Sequence, residues 1–149
     1  MTQTHKANET NPSTADGAWL HIGDVAACTG LSLRTIRYYE EASLVTPSQR
    51  TTGGFRLYTE SDIERLQLIK QMKPLGFTLE EMRDLLHLLD ELAADTEDAG
   101  GGALEGLRRF SQEADGRCEQ LRERLATATR FADMLRLRSA AARRTAPGQ

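Results

Sequence analysis

The chain is poor in the residues that most often carry chemistry. It has two cysteines, Cys28 and Cys118, in 149 residues. Ninety positions apart, they form no disulfide framework. Its three histidines, His5, His21 and His87, are scattered and lie near no nucleophile. No catalytic grouping or metal cluster emerges, so an enzyme is not expected. No apolar run approaches the ~20 residues that span a bilayer. Residues 1–18 lack the apolar core of a signal peptide and read as a disordered polar leader. The expected location is the cytoplasm. Positive charge is not in excess either: the net charge is −3.

What is present is patterned. Residues 59–99 carry net −7, while 19–58 carry +1 and 100–149 carry +4. Such asymmetry indicates separate working surfaces. The arginines of the weakly basic head are clustered. Ile22, Val25 and Ala26 give a short apolar stripe stopped at Gly30. Ser32 is an N-cap for a second helix, Leu33–Glu41, with Ile36 pointing inward and Arg34, Thr35, Arg37, Tyr38 and Tyr39 along it. Pro47 and Gly53-Gly54 then bracket a hairpin. Strand alternation in Phe55-Arg56-Leu57-Tyr58 predicts Arg56 and Tyr58 on the exposed face, opposite Phe55 and Leu57.

Two capped helices follow. Thr59 and Asp62 open one, with a stripe of Ile63, Leu66, Ile69 and Met72, and Pro74 and Gly76 end it. Thr78 and Glu81 open the next, with Leu79, Met82, Leu85, Leu86 and Leu89. Residues 93–103 are acidic and glycine-rich and read as a linker. Beyond it, Cys118, Leu121, Leu125, Ala128, Ala132 and Leu135 repeat as a coiled-coil seam. Residues 117–140 as one helix are ~36 Å long and have no partner within so small a chain. The economical partner is the same helix of a second copy. Gly106 and Gly116 weaken continuity back to Leu104. The organisation expected is therefore a leader at 1–18, a DNA-binding head with its two following helices at 19–92, a linker at 93–103, a dimerisation helix at 104–142 and a flexible tail at 143–149.

A helix-turn-helix enters the major groove with the start of its second helix, here Ser32, Leu33, Arg34 and Thr35. Arg34 is the candidate for a guanine edge, because its fork bonds two acceptors at once. Arg37 and Tyr38 are better placed for phosphate. Arg56 and Tyr58 on the wing suit phosphate too, and Gly54 lets the turn approach closely. Ile22, Val25, Gly30, Ile36 and Tyr39 form the frame of the helix pair.

The segments Arg37-Tyr38-Tyr39-Glu40, Gly54-Phe55-Arg56-Leu57-Tyr58 and Leu75-Gly76-Phe77-Thr78-Leu79-Glu80-Glu81, in this order, resemble the MerR family of bacterial transcription regulators. The likeness is close over about Leu20–Leu92 and extends to the long helix by pattern alone. It implies a mainly α fold: a winged helix-turn-helix head and a long C-terminal dimerisation helix forming an antiparallel coiled coil. It implies a homodimer on a pseudo-palindromic promoter site in double-stranded DNA. Such a dimer distorts the spacer and so acts on RNA polymerase through the promoter. The resemblance places Arg34, Thr35, Arg37, Tyr38, Arg56 and Tyr58 at DNA-contact positions. The rival reading is an effector-independent repressor or an architectural protein.

Metal-sensing members of that family use cysteines at the start of the dimer helix and in a following loop. Cys118 lies near the first region, but residues 139–149 contain no Cys or His, so neither metal nor cofactor is expected. Cys118 and Cys28 read as packing residues, and His87 as a packed or surface side chain. No ligand-binding domain is expected after the coiled coil. Leu92, Leu104, Leu107, Phe110 and Met134 are candidates for the lining of an effector pocket or for plain core. The effector itself is not legible.

Overall fold

The structure, a computed structural model, describes residues 19–94 and 100–145. The expected leader at 1–18, residues 95–99 of the acidic break and residues 146–149 of the tail lie outside the described residues. The chain divides into two compact units, 1–69 and 70–149.

In the first unit, β1 (Leu20–His21) leads into α1 (Ile22–Thr29) and α2 (Leu33–Glu41). Val25 and Thr29 are the inward positions of α1, one turn apart. Thr29 donates its hydroxyl to the Val25 carbonyl at 2.8 Å. Gly30 stops the helix in the left-handed region, with φ 70°, and its N–H returns to the Ala26 carbonyl. Ser32 caps α2 by accepting from the Thr35 N–H at 3.1 Å. Ile36 and Tyr39 are the buried side of α2. The helix ends at Glu41, and Ser43 just beyond it holds φ 59° without being a glycine. That conformation is held by the Leu44 N–H bonding back to the Tyr39 carbonyl and by the burial of Leu44 and Val45.

A wing follows. β2 (Gln49–Arg50) and β3 (Arg56–Tyr58) are antiparallel, and β3 also pairs with β1, so β3 is the middle strand of three. Gly54, at φ 82°, makes the turn between them. α3 (Glu60–Met72) is opened by the buried Asp62. Asp62 accepts from the Thr59 N–H and from Ser48 Oγ, both at 2.8 Å. One carboxylate thus caps α3 and anchors the approach to β2. Gln67 donates to the Cys28 carbonyl at 3.1 Å, tying α3 to the end of α1.

The second unit holds a 3-10 turn (Lys73–Leu75), α4 (Leu79–Ala93) and α5 (Gly100–Thr145). The Thr78/Glu81 capping box opens α4: Thr78 N–H donates to Glu81 at 2.7 Å and Glu81 N–H to Thr78 Oγ1 at 3.2 Å. α5 is a single helix of 46 residues. Its start differs from the linker expected at 93–103, because Gly100–Ala103 already form its first turn and Ala103 is buried. It also runs unbroken through Gly106 and Gly116 and takes in Arg143–Thr145 of the expected tail. A Cβ on Gly106 would lie 2.8 Å from Leu88 Cδ2, so this glycine is where α4 and α5 approach each other. Packing there outweighs the ~1 kcal/mol that each helical glycine costs.

Arg117 locks the two helices together. Its guanidinium lies 3.8 Å from the centroid of the Phe77 ring and donates to Glu81 at 2.7 Å and to Glu113. The Glu81 carboxyl is held below the usual carboxylate range, first by the Thr78 backbone N–H and then by Arg117. A depressed folded pKa contributes stability that is present above the ordinary carboxylate value. That stability is lost as pH falls through the depressed one. The melting temperature is therefore expected to drop as pH is lowered below about 4. Glu81→Gln should lower it at neutral pH and flatten that acid drop, as read by circular dichroism melts across pH. An unchanged acid slope would remove Glu81 from the linkage.

Candidate nucleic-acid interface

The exposed side of α2 carries Arg34, Arg37 and Tyr38. Positions three and four apart on a helix share a face, so the three side chains form one patch. Among the described residues, neither Arg34 nor Arg37 makes an ion pair or a side-chain hydrogen bond. Two guanidinium groups standing in water without an internal anion are poised to pair with an external one. Thr35 is half-buried, and its hydroxyl lies 2.8 Å from Ser32 Oγ. Both hydroxyls therefore already serve the cap. Tyr38 leans on the buried Tyr39, with ring centroids 5.6 Å apart. Burial, then the neighbouring Tyr38, push the Tyr39 hydroxyl above its ordinary pKa.

The wing corrects the expectation from strand alternation. Tyr58 is fully buried and Phe55 is 68% exposed, the reverse of the faces expected. Alternation separates two faces without saying which is inward. Moreover, β3 begins only at Arg56, so Phe55 belongs to the turn after Gly54 and escapes the alternation. The Tyr58 hydroxyl donates to Glu40 Oε2 at 3.0 Å, and burial followed by Glu40 raises its pKa strongly. Tyr58 is a core residue and offers no exposed surface to a phosphate.

Arg56 Nε spans both Glu40 oxygens, at 2.8 and 2.7 Å, which holds its charge firmly on. Glu40 thus pairs with the wing and not with Arg37, its other candidate partner at i,i+3. Arg50 lies directly opposite Arg56 across the β2–β3 ladder. It donates to the Gly54 carbonyl at 3.3 Å and reaches Glu40 only at 3.6 Å. The sequence pattern assigned no role at this surface to Arg50, Glu40 or Phe55. The signal for Arg50 was available: it and Arg56 are equidistant from Gly53, so a tight hairpin centred there pairs them.

Away from this surface, Cys28 is exposed and not packed, because the period of α1 turns Val25 and Thr29 inward. Cys118 is half-buried. His87 is exposed and lies 3.1 Å from Glu91. An open groove of about 470 Å³ beside α4 and α5 is lined by Asp84, His87, Leu88, Arg109, Phe110 and Glu113. Of the residues considered for a pocket, only Phe110 lines it; Leu104 and Met134 are exposed. Among the described residues, no three His, Cys, Asp or Glu side chains gather as a metal site. No helix among them is long and apolar enough to cross a membrane.

Two short helices joined at a left-handed glycine, a three-stranded wing and an exposed arginine-tyrosine face define a winged helix-turn-helix DNA-binding protein. The family model described as MerR HTH family regulatory protein matches residues 20–89, and that described as MerR, DNA binding matches residues 63–138. The chain belongs to the MerR family and is a DNA-binding transcriptional regulator. It is similar to the HTH-type transcriptional regulator CueR of Yersinia pestis, 42% identical over 106 residues, which are 71% of this chain and 76% of that protein. The HTH-type transcriptional regulator ZntR of Escherichia coli (strain K12) is 48% identical over 67 residues, 45% of this chain and 48% of ZntR. A MerR family transcriptional regulator from Listeria monocytogenes has the same fold. Its TM-score is 0.63 at 26% identity, over 84% of this chain and 92% of that one.

Proposed function

We propose that two copies of this protein bind one pseudo-palindromic promoter site. Each reads a half-site with α2, and together they control transcription by distorting the spacer between promoter elements. The observation that carries this reading is the exposed face of Arg34, Arg37 and Tyr38 on α2, where neither arginine has an ion pair among the described residues. Arg34, nearest the helix start, takes a base edge, with Ser32 and Thr35 beside it at the cap. Arg37 and Tyr38 take phosphate. On the wing, Gly54 lets the turn approach the duplex, Phe55 makes apolar contact, and Arg50 supplies the available cation, while Arg56 is held by Glu40. Tyr58 shapes the wing from inside.

Dimerisation by α5 has its own support. The seam Cys118, Leu121, Leu125, Ala128, Ala132, Leu135 has spacings that read the same in both directions. Run antiparallel about its centre, it sets Leu135 against Cys118, Leu121 against Ala132 and Leu125 against Ala128. Every leucine then meets a small residue, as close interdigitation requires. Run parallel, leucine meets leucine and alanine meets alanine. Bending or untwisting a spacer costs a few kcal/mol, which contacts from two heads and two wings offset. RNA polymerase is thus addressed through the promoter and not by a dedicated surface. The work is done at the chromosome, in the cytoplasm, and the effector is a signal yet to be identified.

The test is transcription in vitro from a promoter carrying the bound site, with permanganate reactivity of the spacer read in parallel. A regulator of this kind changes both spacer reactivity and transcript yield at saturating occupancy. Occupancy with an undistorted spacer would replace this reading with that of a simple repressor or architectural protein.

A further inference from the structure

We propose that Glu40 is a positioning residue that clamps the wing to the reading helix, so that both meet DNA at one fixed spacing. The inference rests on the promoter-binding reading above and adds to it a residue that touches no DNA.

Glu40 sits in the last turn of α2, on the same helix as Arg34 and Arg37. Its side chain is 13% exposed and turned away from water toward the wing. Three donors converge on its two oxygens: Arg56 through Nε, the Tyr58 hydroxyl at 3.0 Å and Arg50 at 3.6 Å. All three come from β2 and β3. Like charges directly opposite across a ladder are destabilising, and Arg50 and Arg56 are such a pair. A single carboxylate lying against both offsets that repulsion and fixes the hairpin root to α2. Without the carboxylate, the two guanidinium groups would push β2 and β3 apart.

The arrangement also divides the labour between the arginines. Arg56, with 30% of its side chain exposed and both Glu40 oxygens within 2.8 Å, is committed to the clamp. Arg50, 53% exposed and at 3.6 Å, is loosely held. Two cations lean on the Glu40 carboxylate, and Arg50 is the one left more available. A DNA phosphate can take Arg50 without breaking the Arg56–Glu40–Tyr58 contacts. The wing therefore gains a phosphate contact while its angle to α2 stays set.

The experiment uses the full chain and an operator selected from random DNA by the wild-type protein. That duplex is trimmed stepwise until wild-type affinity drops at the step where the wing loses its contacts. Glu40→Gln keeps the size and can still accept from Tyr58, but it removes the charge. It should weaken binding to the full operator roughly tenfold, the scale of a charge-assisted hydrogen bond, and leave binding to the trimmed duplex at the wild-type level. Tyr58→Phe, which removes one clamp bond without changing charge, should show the same selective loss to a smaller degree. It decides the matter if Glu40→Gln fails to fold. Equal weakening on full and trimmed duplexes, or none on either, would overturn the clamp. If the wild-type protein itself bound trimmed and full duplexes alike at every step, the wing would be outside the interface. The clamp would then fail with the wing contact while reading by α2 stood, whereas a selection that yields no operator would overturn the promoter-binding reading itself.

Discussion

Leu121→Glu together with Leu125→Glu is expected to turn the protein into a monomer and to cost about 10²- to 10⁴-fold in operator affinity. The loss has this size because two linked heads bind the second half-site intramolecularly, a gain that vanishes when the link is cut. Both leucines are exposed in the single chain, Leu125 at 67%, so nothing within the protomer needs them. From 121 to 145 only Ala132 is less than exposed, and Leu121, Leu125, Met134 and Leu135 lie in water there. A leucine moved from water into a packed seam contributes ~1.5–3 kcal/mol. A glutamate in its place must be desolvated against alanine, and the pair is repelled by its symmetry mate. The α4–α5 packing lies N-terminal to these positions and should persist, leaving helix content near wild type. Sedimentation paired with a gel-shift titration checks both parts. A double variant that stays dimeric at micromolar concentration would place the interface elsewhere.

The second large effect is expected at Arg34. Arg34→Ala should cost about 1–3 kcal/mol per half-site, lost at one base position while preference at the other positions is kept. A symmetric dimer suffers the loss twice. Arg37→Ala should instead weaken binding to all sequences alike and lower the magnitude of the slope of affinity against salt by about one unit per half-site. The difference follows from place along α2: Arg34 lies in its first turn, the end that enters the groove, and Arg37 one turn on. Neither substitution removes an internal contact, since neither guanidinium has one among the described residues. Stability should therefore be unchanged, and binding to a panel of single-base operator variants separates the two roles. Uniform weakening by Arg34→Ala would reassign it to phosphate.

Local signals carried a great deal of the fold. Gly30 ended α1 where only a residue at ease with positive φ can. The pairs Thr59/Asp62 and Thr78/Glu81 opened α3 and α4, because a hydroxyl and a carboxylate three residues apart satisfy the same orphan N–H groups in any context. The wing was legible as a hairpin but not in its orientation. Which face of a strand is inward depends on what packs over it, and here that is α1, with Glu40 of α2 taking the Tyr58 hydroxyl. The partner of Glu40 was not legible, since i,i+3 neighbours are visible in sequence while a wing residue 16 positions away is not. The break at 93–103 misled through composition: glycines disfavour helix locally, yet Gly106 is what lets α5 touch Leu88.

By itself, the sequence determined the order of the helices and the ends of α1 to α4, the arginine-tyrosine face of α2, the reversible spacing of the α5 seam and, through its motifs, the family. These rest on caps, periodicity and backbone conformation, which act over a few residues. Only the tertiary structure decided that Tyr58 is core, that Phe55 stands in solvent and that Arg56 is committed to Glu40 while Arg50 is not. It also decided that one helix runs from Gly100 to Thr145. Those outcomes turn on which distant groups compete for the same buried space and the same carboxylate, and such competition exists only once the chain has folded.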